Sequence, residues 1–126
     1  MGGRNRTGRR GEALAAEYLK RRGWRILDRN WRAGHRELDL VVRRASVVAF
    51  VEVKTRAHGG CGGPLESVTR HKRREIERAA AAWLQAEAGL LEGVATLRFD
   101  ALAVHLNAGR SPRFRHVPDA WRIGDD

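Results

Sequence analysis

The sequence predicts an α/β fold, a three-layer sandwich in which helices flank a central mixed β-sheet. The chain has 126 residues, the size of one ordinary domain with its own core. Residues 47–53 are almost continuously apolar, which is typical of a central strand covered on both faces. A helical pattern at residues 69–88 separates this strand from a second strand-like segment at 96–106. A helical crossover favours parallel pairing of the strands that it joins, so the sheet is predicted to be mixed.

The first third of the chain is predicted to add a helix and a β-hairpin. Residues 8–22 carry apolar side chains at helical spacing and precede Gly23, a common type of residue at helix ends. Residues 24–31 and 37–42 have strand-like patterns and are separated by a turn that contains Gly34. Two strands joined by so short a turn are expected to pair as a hairpin.

The remaining segments are predicted to be less regular. Residues 55–64 are rich in glycine, which predicts a mobile loop, and residues 113–117 indicate a short edge strand. One domain is expected over residues 1–126, with flexible tails at about 1–7 and 119–126.

Composition limits the class of protein and its location. Cys61 is the single cysteine, so an internal disulfide is excluded, and the five histidines show no spacing typical of a zinc site. The basic N-terminal residues are not followed by the apolar segment of a signal peptide, and no window is apolar enough to span a membrane. These features predict a cytoplasmic protein without a membrane partner.

The chain carries a large excess of positive charge. The 25 Lys and Arg residues outnumber 15 Asp and Glu residues, which gives a net charge of +10. Such a charge favours a polyanionic partner, and nucleic acid is the partner expected. The alternative is a solubilising surface, because most of these cations are arginine and genome-wide codon use can produce the same excess.

Two neighbouring strands carry charged side chains that can form a metal site. Glu52 and Lys54 are two residues apart on the predicted central strand, so they share one face. Asp39 lies on the neighbouring strand and reaches the same face if the register allows it. Two carboxylates, with a backbone carbonyl such as that of Val53, suit Mg²⁺ or Mn²⁺ and leave room for water and a phosphate. Lys54 can then activate the attacking water or stabilise charge on phosphorus, which predicts phosphodiester hydrolysis.

Several short motifs span nearly the whole chain in a specific order. They are Gly8-Arg9-Arg10-Gly11-Glu12, Tyr18-Leu19, Gly23, Arg29-Asn30, Glu37-Leu38-Asp39-Leu40, Phe50-Val51-Glu52-Val53-Lys54-Thr55-Arg56 and Arg98-Phe99-Asp100. In order and spacing they resemble the YraN (UPF0102) family, whose activity is not established. At one position the chain departs from that family, since Arg36 stands where a glycine is usual, and this puts the geometry of the turn in question.

That family is similar in turn to the PD-(D/E)XK superfamily, which has a restriction-endonuclease-like fold and includes archaeal Holliday-junction resolvases. The resemblance implies a metal-dependent nuclease that acts on DNA, including branched or junction DNA, with Mg²⁺ as its cofactor. It implies catalytic roles for Glu12, Asp39, Glu52 and Lys54, with Asp39, Glu52 and Val53 as metal ligands. Relatives that cut symmetric junctions act as dimers, so the resemblance also allows a homodimer.

Basic residues near these motifs are candidates for contacts with nucleic acid. Lys72 lies on the second predicted helix, where such relatives often carry a basic residue, and it can contact the scissile phosphate. The full set is Arg9, Arg10, Arg56, Arg70, Lys72 and Arg73. A solvated basic surface explains these residues equally well.

Other interpretations fit the same residues. The charged strand residues can form surface ion pairs only, and the whole chain can be a non-catalytic nucleic-acid-binding module or a scaffold with an exposed sheet edge. Asp100 is expected to pair with Arg98 or another nearby arginine, and Trp24 and Trp83 are expected in the core. Trp31 is open between a core role and stacking on bases.

Overall fold

The computed structural model describes residues 6–57, 68–107 and 109–125. In these ranges the chain forms two α-helices, five strands and a short 3-10 helix (Ala88–Leu91) that precedes the fourth strand. The helices and strands in chain order are α1 (Arg6–Arg21), β1 (Arg25–Ala33), β2 (Arg36–Arg44), β3 (Val47–Ala57), α2 (Arg70–Ala86), β4 (Thr96–Leu106) and β5 (Arg113–Trp121). Over the described residues, neither α-helix is long and apolar enough to cross a membrane.

All five strands belong to one mixed sheet, in the order β1-β2-β3-β4-β5. β3 and β4 are parallel, and the other neighbours are antiparallel. α1 packs mainly on β3 from one side of the sheet, and α2 packs mainly on β2 from the other. The protein is therefore an α/β sandwich of three layers with a mixed central sheet, which confirms the predicted fold class.

Alternating side chains of β3 divide the core between the two helices. Ala49, Val51 and Val53 pack in the cluster that contains α1, whereas Val48 and Phe50 pack in the cluster that contains α2. This alternation is the period of two expected of a strand that is covered on both faces. Glu52 and Lys54 follow Phe50 on the same face of β3, so they are directed to the α2 side of the sheet.

The tryptophans contribute to both sides of the core. Trp24 and Trp83 are buried, at 4% and 0% exposure, as the sequence predicted. The indole Nε1 of Trp83 donates a hydrogen bond to Asp28 at 3.1 Å, which satisfies its polar group inside the core. Trp31 is partly buried against the α2 cluster, which favours a core role for it.

Two predicted boundaries near the N-terminal half differ from the structure. α1 begins at Arg6, so residues 6 and 7 of the segment predicted as a flexible tail are helical. β3 continues to Ala57, into the segment predicted as a mobile loop, because it pairs with β4 up to Leu106. The rest of that predicted loop, residues 58–64, lies outside the described residues.

The last strand is longer than the sequence predicted. β5 runs beyond the predicted edge strand at 113–117 and takes up the start of the tail predicted from residue 119. The cause is the buried indole of Trp121, which is stacked on Phe99 with 5.1 Å between ring centroids. Its Nε1 donates a hydrogen bond to Glu77 at 3.1 Å, so the end of the chain is held against β4 and α2.

Asp100 joins β4 to β5 through a buried hydrogen-bond network. Its side chain has 0% exposure and accepts hydrogen bonds from Arg98 Nε at 2.9 Å and from Asp119 N at 2.9 Å, with His116 Nε2 lying 2.8 Å away. Burial alone would raise the pKa of Asp100, but hydrogen bonds from His116, Arg98 and the Asp119 backbone together hold it below its ordinary value. The predicted pairing with Arg98 is confirmed.

The beginning of α1 packs closely against β3 at Gly11. A Cβ added at Gly11 would overlap Thr55 Oγ1 and lie 2.8 Å from both Cβ and Cγ2 of the same threonine. Only glycine allows the helix to approach the strand this closely. The next residue, Glu12, is thereby brought to the edge of β3.

Replacing Gly11 by alanine is predicted to lower the free energy of unfolding by about 1–3 kcal/mol, because helix and strand must separate to admit the methyl group. The loss is expected even though alanine is the better helix former. Gly89→Ala is the matched control, since its Cβ would meet nothing within 4 Å. Urea denaturation of both variants measures the effect, and a Gly11→Ala protein as stable as the parent would contradict the close contact.

Candidate active site

Asp39 and Glu52 face each other where β2 and β3 separate. The antiparallel ladder of these strands ends at the pair Leu40 and Val51, and the next pair in the same register is Asp39 and Glu52. Directly opposite residues in an antiparallel pair share a face of the sheet. Beyond the ladder, Val53 N donates a hydrogen bond to Asp39 Oδ2 at 2.8 Å, so a side-chain oxygen accepts the bond in place of a backbone carbonyl. The register that the sequence left open thus brings the two carboxylates together.

These carboxylates lie in a cleft of about 630 Å³, formed where the beginnings of α1 and α2 meet the beginning of β2 and the last residues of β3. We call this cavity the acidic cleft. Its lining includes Glu12, Asp39, Glu52, Val53, Lys54 and Lys72. All of the residues predicted to be catalytic or to bind metal therefore line one cleft. Resemblance alone had pointed to Glu12, and its carboxylate is 6% exposed here.

Glu52 is the most perturbed acid of the cleft. Its side chain is 13% exposed, and burial together with the neighbouring charge of Asp39 raises its pKa to about 8. Lys72 partly offsets this effect, because its Nζ lies 3.3 Å from Glu52 Oε2. Asp39 and Glu52 therefore share the cleft with the Lys72 ammonium, which lies close to Glu52.

The two lysines of the acidic cleft have different surroundings. Lys54 is exposed and forms no ion pair with the residues of the described segments. Lys72 is half exposed and lies in the first turn of α2, whose N-cap Thr69 accepts a hydrogen bond from the Lys72 backbone N–H. Lys54 can therefore meet a ligand directly, whereas Lys72 must first leave Glu52.

The donor set of the cleft suits a hard divalent cation. In a strand, the N–H and the carbonyl of one residue face the same neighbouring strand, so the Val53 carbonyl lies on the side of Asp39. Two carboxylates and one carbonyl are a typical protein share of a Mg²⁺ shell that keeps several waters. Within the described residues, no three His, Cys, Asp or Glu side chains are grouped closely enough to hold a metal by themselves. A shell completed by water and by substrate phosphate, as expected for Mg²⁺, is the arrangement that these donors fit.

The structure brings only some of the predicted nucleic-acid contacts to the cleft. Lys72 lines it, and Arg9, Arg10 and Arg70 are exposed on the first turns of the two helices. Arg73 is held elsewhere, because its Nε donates to the Val68 carbonyl at 3.1 Å and its guanidinium lies 5.7 Å from the ring centroid of Trp121. Arg56, the last of the set, is half-buried near the end of β3.

Sequence reasoning missed the rim of the cleft at the β1–β2 hairpin. Glu75 of α2 lies 3.1 Å from His35 Nε2 and 3.5 Å from Arg36 Nε, and all three residues line the cleft. Gly34, with a φ of 64°, supplies the positive φ that the turn needs, so Arg36 is accommodated in place of the usual glycine. The contact of Glu75 with His35 and Arg36 joins residues far apart in sequence. In the sequence, only the replacement of the family's usual glycine by Arg36 drew attention to this position.

Comparisons with known proteins agree with the motifs. Residues 11–104 match the family described as Uncharacterised protein family UPF0102. A UPF0102 protein of Anaeromyxobacter dehalogenans is 46% identical over 119 residues, which cover 94% of this chain and 86% of that protein. A UPF0102 protein of Geobacter sulfurreducens is 43% identical over 116 residues, 92% of this chain and 88% of the relative.

Among solved structures, that of Pyrococcus furiosus SfsA in complex with Ca²⁺ aligns with a TM-score of 0.39 and 17% sequence identity. The alignment covers 89% of this chain and 62% of the SfsA chain. The match to the family over most of its length, together with relatives above 40% identity, shows that this chain belongs to the UPF0102 family.

Proposed function

We propose that the protein is a Mg²⁺-dependent phosphodiesterase that cuts DNA, with Asp39, Glu52 and the Val53 carbonyl as the metal ligands. The observation that carries the proposal is the pair of opposed carboxylates in the acidic cleft, with Asp39 buried and Glu52 only 13% exposed. Such a pair is costly to fold because the two charges repel each other in a poorly solvated place. A divalent cation would remove this cost.

The chain's own residues have distinct parts in this proposal. When bound, Mg²⁺ supplies a water of lowered pKa and neutralises charge on the phosphate. Lys54, which lines the cleft and is exposed, orients that water or takes its proton, and stabilises charge building on phosphorus. Glu12 supports the shell from α1, and its placement depends on the close contact of Gly11 with Thr55.

Lys72 has a different partner in the metal-free and in the metal-bound cleft of this proposal. At 3.3 Å from Glu52 it acts as the counter-ion of the buried carboxylate, and its exposure of 54% leaves it room to move outward. If a divalent cation balanced that charge instead, the Lys72 ammonium would be available to a phosphate oxygen of the substrate. The resemblance to PD-(D/E)XK nucleases, with a strand acid followed by Glu-x-Lys, supports the same assignment of roles.

One observation favours the alternative of a non-catalytic nucleic-acid-binding module. Because Lys72 already compensates Glu52, the cleft has an internal counter-charge without any metal. In that reading, the basic residues around the cleft bind phosphates without hydrolysis. A cytoplasmic location, which the composition favours, suits both proposals.

The pH dependence of stability tests the buried carboxylate pair. The pKa of Glu52 is raised from 4.5 to about 8, so the protonated side chain stabilises the folded state below pH 4.5, and this contribution is lost as the pH rises towards 8. In EDTA, the parent is therefore expected to lose on the order of 5 kcal/mol relative to Glu52→Gln across that interval. Mg²⁺ at high pH should restore the parent and leave the variant unchanged. Parallel pH profiles in denaturation curves would refute the pair as described.

Glu17→Gln is the control for this measurement. Glu17 pairs with Lys20 at 3.2 Å on an exposed face of α1, with 55% and 47% of the two side chains exposed. An exposed pair of this kind contributes little to stability, so the variant is expected to follow the parent in both pH and Mg²⁺ dependence.

Cleavage assays test the proposed reaction. The parent should cut one or more of labelled duplex, single-stranded, flap and four-way-junction DNA in Mg²⁺ or Mn²⁺, and should be inactive in EDTA. Glu52→Ala is expected to lose both metal binding and cleavage, whereas Lys54→Ala should keep metal binding and lose roughly 10²–10⁴-fold in rate, the size of a general acid–base contribution. Binding without cutting in every metal would favour the alternative module.

A further inference from the structure

We propose that a second groove, next to the acidic cleft, binds the continuing phosphodiester backbone of a nucleic-acid strand through Arg10 and Arg110. The identity of the ligand rests on the proposed function, because the strand is the one whose phosphate occupies the cleft. The groove itself is a separate feature of the surface. Arg110 was not among the residues that the sequence singled out.

The groove adjoins the acidic cleft at the start of α1. It encloses about 680 Å³ and is lined by residues from the beginning of α1, the ends of β3 and β4, and the turn that follows β4. Thr7 lines both the groove and the cleft, so the two share a wall at this helix. A flexible chain that leaves one at this helix is therefore next to the other.

The parallel strands β3 and β4 set the distance between the acidic cleft and the groove. Lys54 of the cleft and Ala57 of the groove are both on β3, and Ala57 pairs with Leu106, which also lines the groove. At about 3.3 Å per residue the separation along the strand is roughly 10 Å. Stacked nucleotides rise about 3.4 Å per step, so roughly three steps of a strand span it. The groove is thus placed for phosphates near the one in the cleft.

The two arginines of the groove carry uncompensated positive charge. Arg10 and Arg110 are exposed, and neither forms an ion pair with the residues of the described ranges. Some other surface arginines are compensated, as Arg78 is by Glu75 at 3.0 Å and Arg122 by Asp119 at 3.0 Å. The polar and charged residues of the groove are Thr7, Arg10, Asn107, Arg110 and Ser111.

Among the described residues of that lining there is no acid, so the charge that they give the groove is positive, and their hydroxyl and amide groups can donate hydrogen bonds to phosphate oxygens. A turn presents one of its two cations, since Arg110 N donates to the Asn107 carbonyl at 3.1 Å across Gly109, whose φ is 70°. A ligand with regularly repeated negative charges, continuous with a phosphate in the cleft, is the one that these features fit.

The test compares two double variants that remove the same charge. Arg10→Gln/Arg110→Gln changes the groove, and Arg25→Gln/Arg29→Gln changes two exposed arginines at the opposite end of α1. Binding to labelled single-stranded DNA, RNA of the same sequence and duplex DNA is measured by fluorescence anisotropy in EDTA over a series of salt concentrations. Hydrolysis cannot interfere under these conditions.

The groove variant should bind at least one of these strands about tenfold more weakly at moderate salt. Its salt slope should fall by about 1.4 on a single strand or about 1.8 on duplex, the amount expected for two lost phosphate contacts. The control should keep the parent's slope. The ligand with the largest difference identifies the strand as DNA or RNA. Equal losses in both double variants, or no loss in either, would overturn the proposal.

The outcome for the groove is separable from the outcome for catalysis. A parent that never cuts, yet binds through Arg10 and Arg110, would remove the proposed hydrolysis and keep the groove. A parent that cuts, while the groove variant binds as well as the parent does, would keep the hydrolysis and remove the groove.

Discussion

The hydrogen bond that Val53 N donates to Asp39 takes the place of the next rung in the β2–β3 ladder, and the acidic cleft exists because of this replacement. A backbone hydrogen bond at this point would keep the two strands together. With a carboxylate as the acceptor, the strands separate while the buried N–H stays satisfied. Glu52 is then exposed to the cleft beside Asp39, and Lys54 follows on the same face.

The molecule buries a second acid in a different way, and the contrast indicates which acid is available for chemistry. Asp100 is surrounded by Arg98, His116 and the Asp119 backbone, so its negative charge is fully supported and its pKa is held low. Burial of Glu52 and the neighbouring charge of Asp39 raise its pKa to about 8, and Lys72 offsets this rise only in part. A satisfied acid fastens strands together, whereas an unsupported acid gains from an added cation.

Periodicity predicted the sheet, the crossover and the shared face of Glu52 and Lys54, because these follow from local pattern alone. The approach of Asp39 to Glu52 depended on strand register, which a pattern of two cannot specify between strands. Glu12 needed the family resemblance, since its position depends on a helix that meets a strand far along the chain. The burial of Trp121 and the presence of Arg10 and Arg110 in one groove could not be predicted either, because each depends on contacts between segments far apart in sequence.

Lys72 gives the cleft a cation that is covalently attached to the chain, and a tethered ion behaves differently from a dissolved one. Its effective concentration at Glu52 is set by the length of its side chain and does not fall on dilution. A dissolved metal ion would therefore have to compete with the Lys72 ammonium for Glu52, and binding of either cation would weaken binding of the other. Metal occupancy of the cleft would then rise gradually with the concentration of free divalent ion, because the charge of Glu52 is balanced both without metal, by Lys72, and with it.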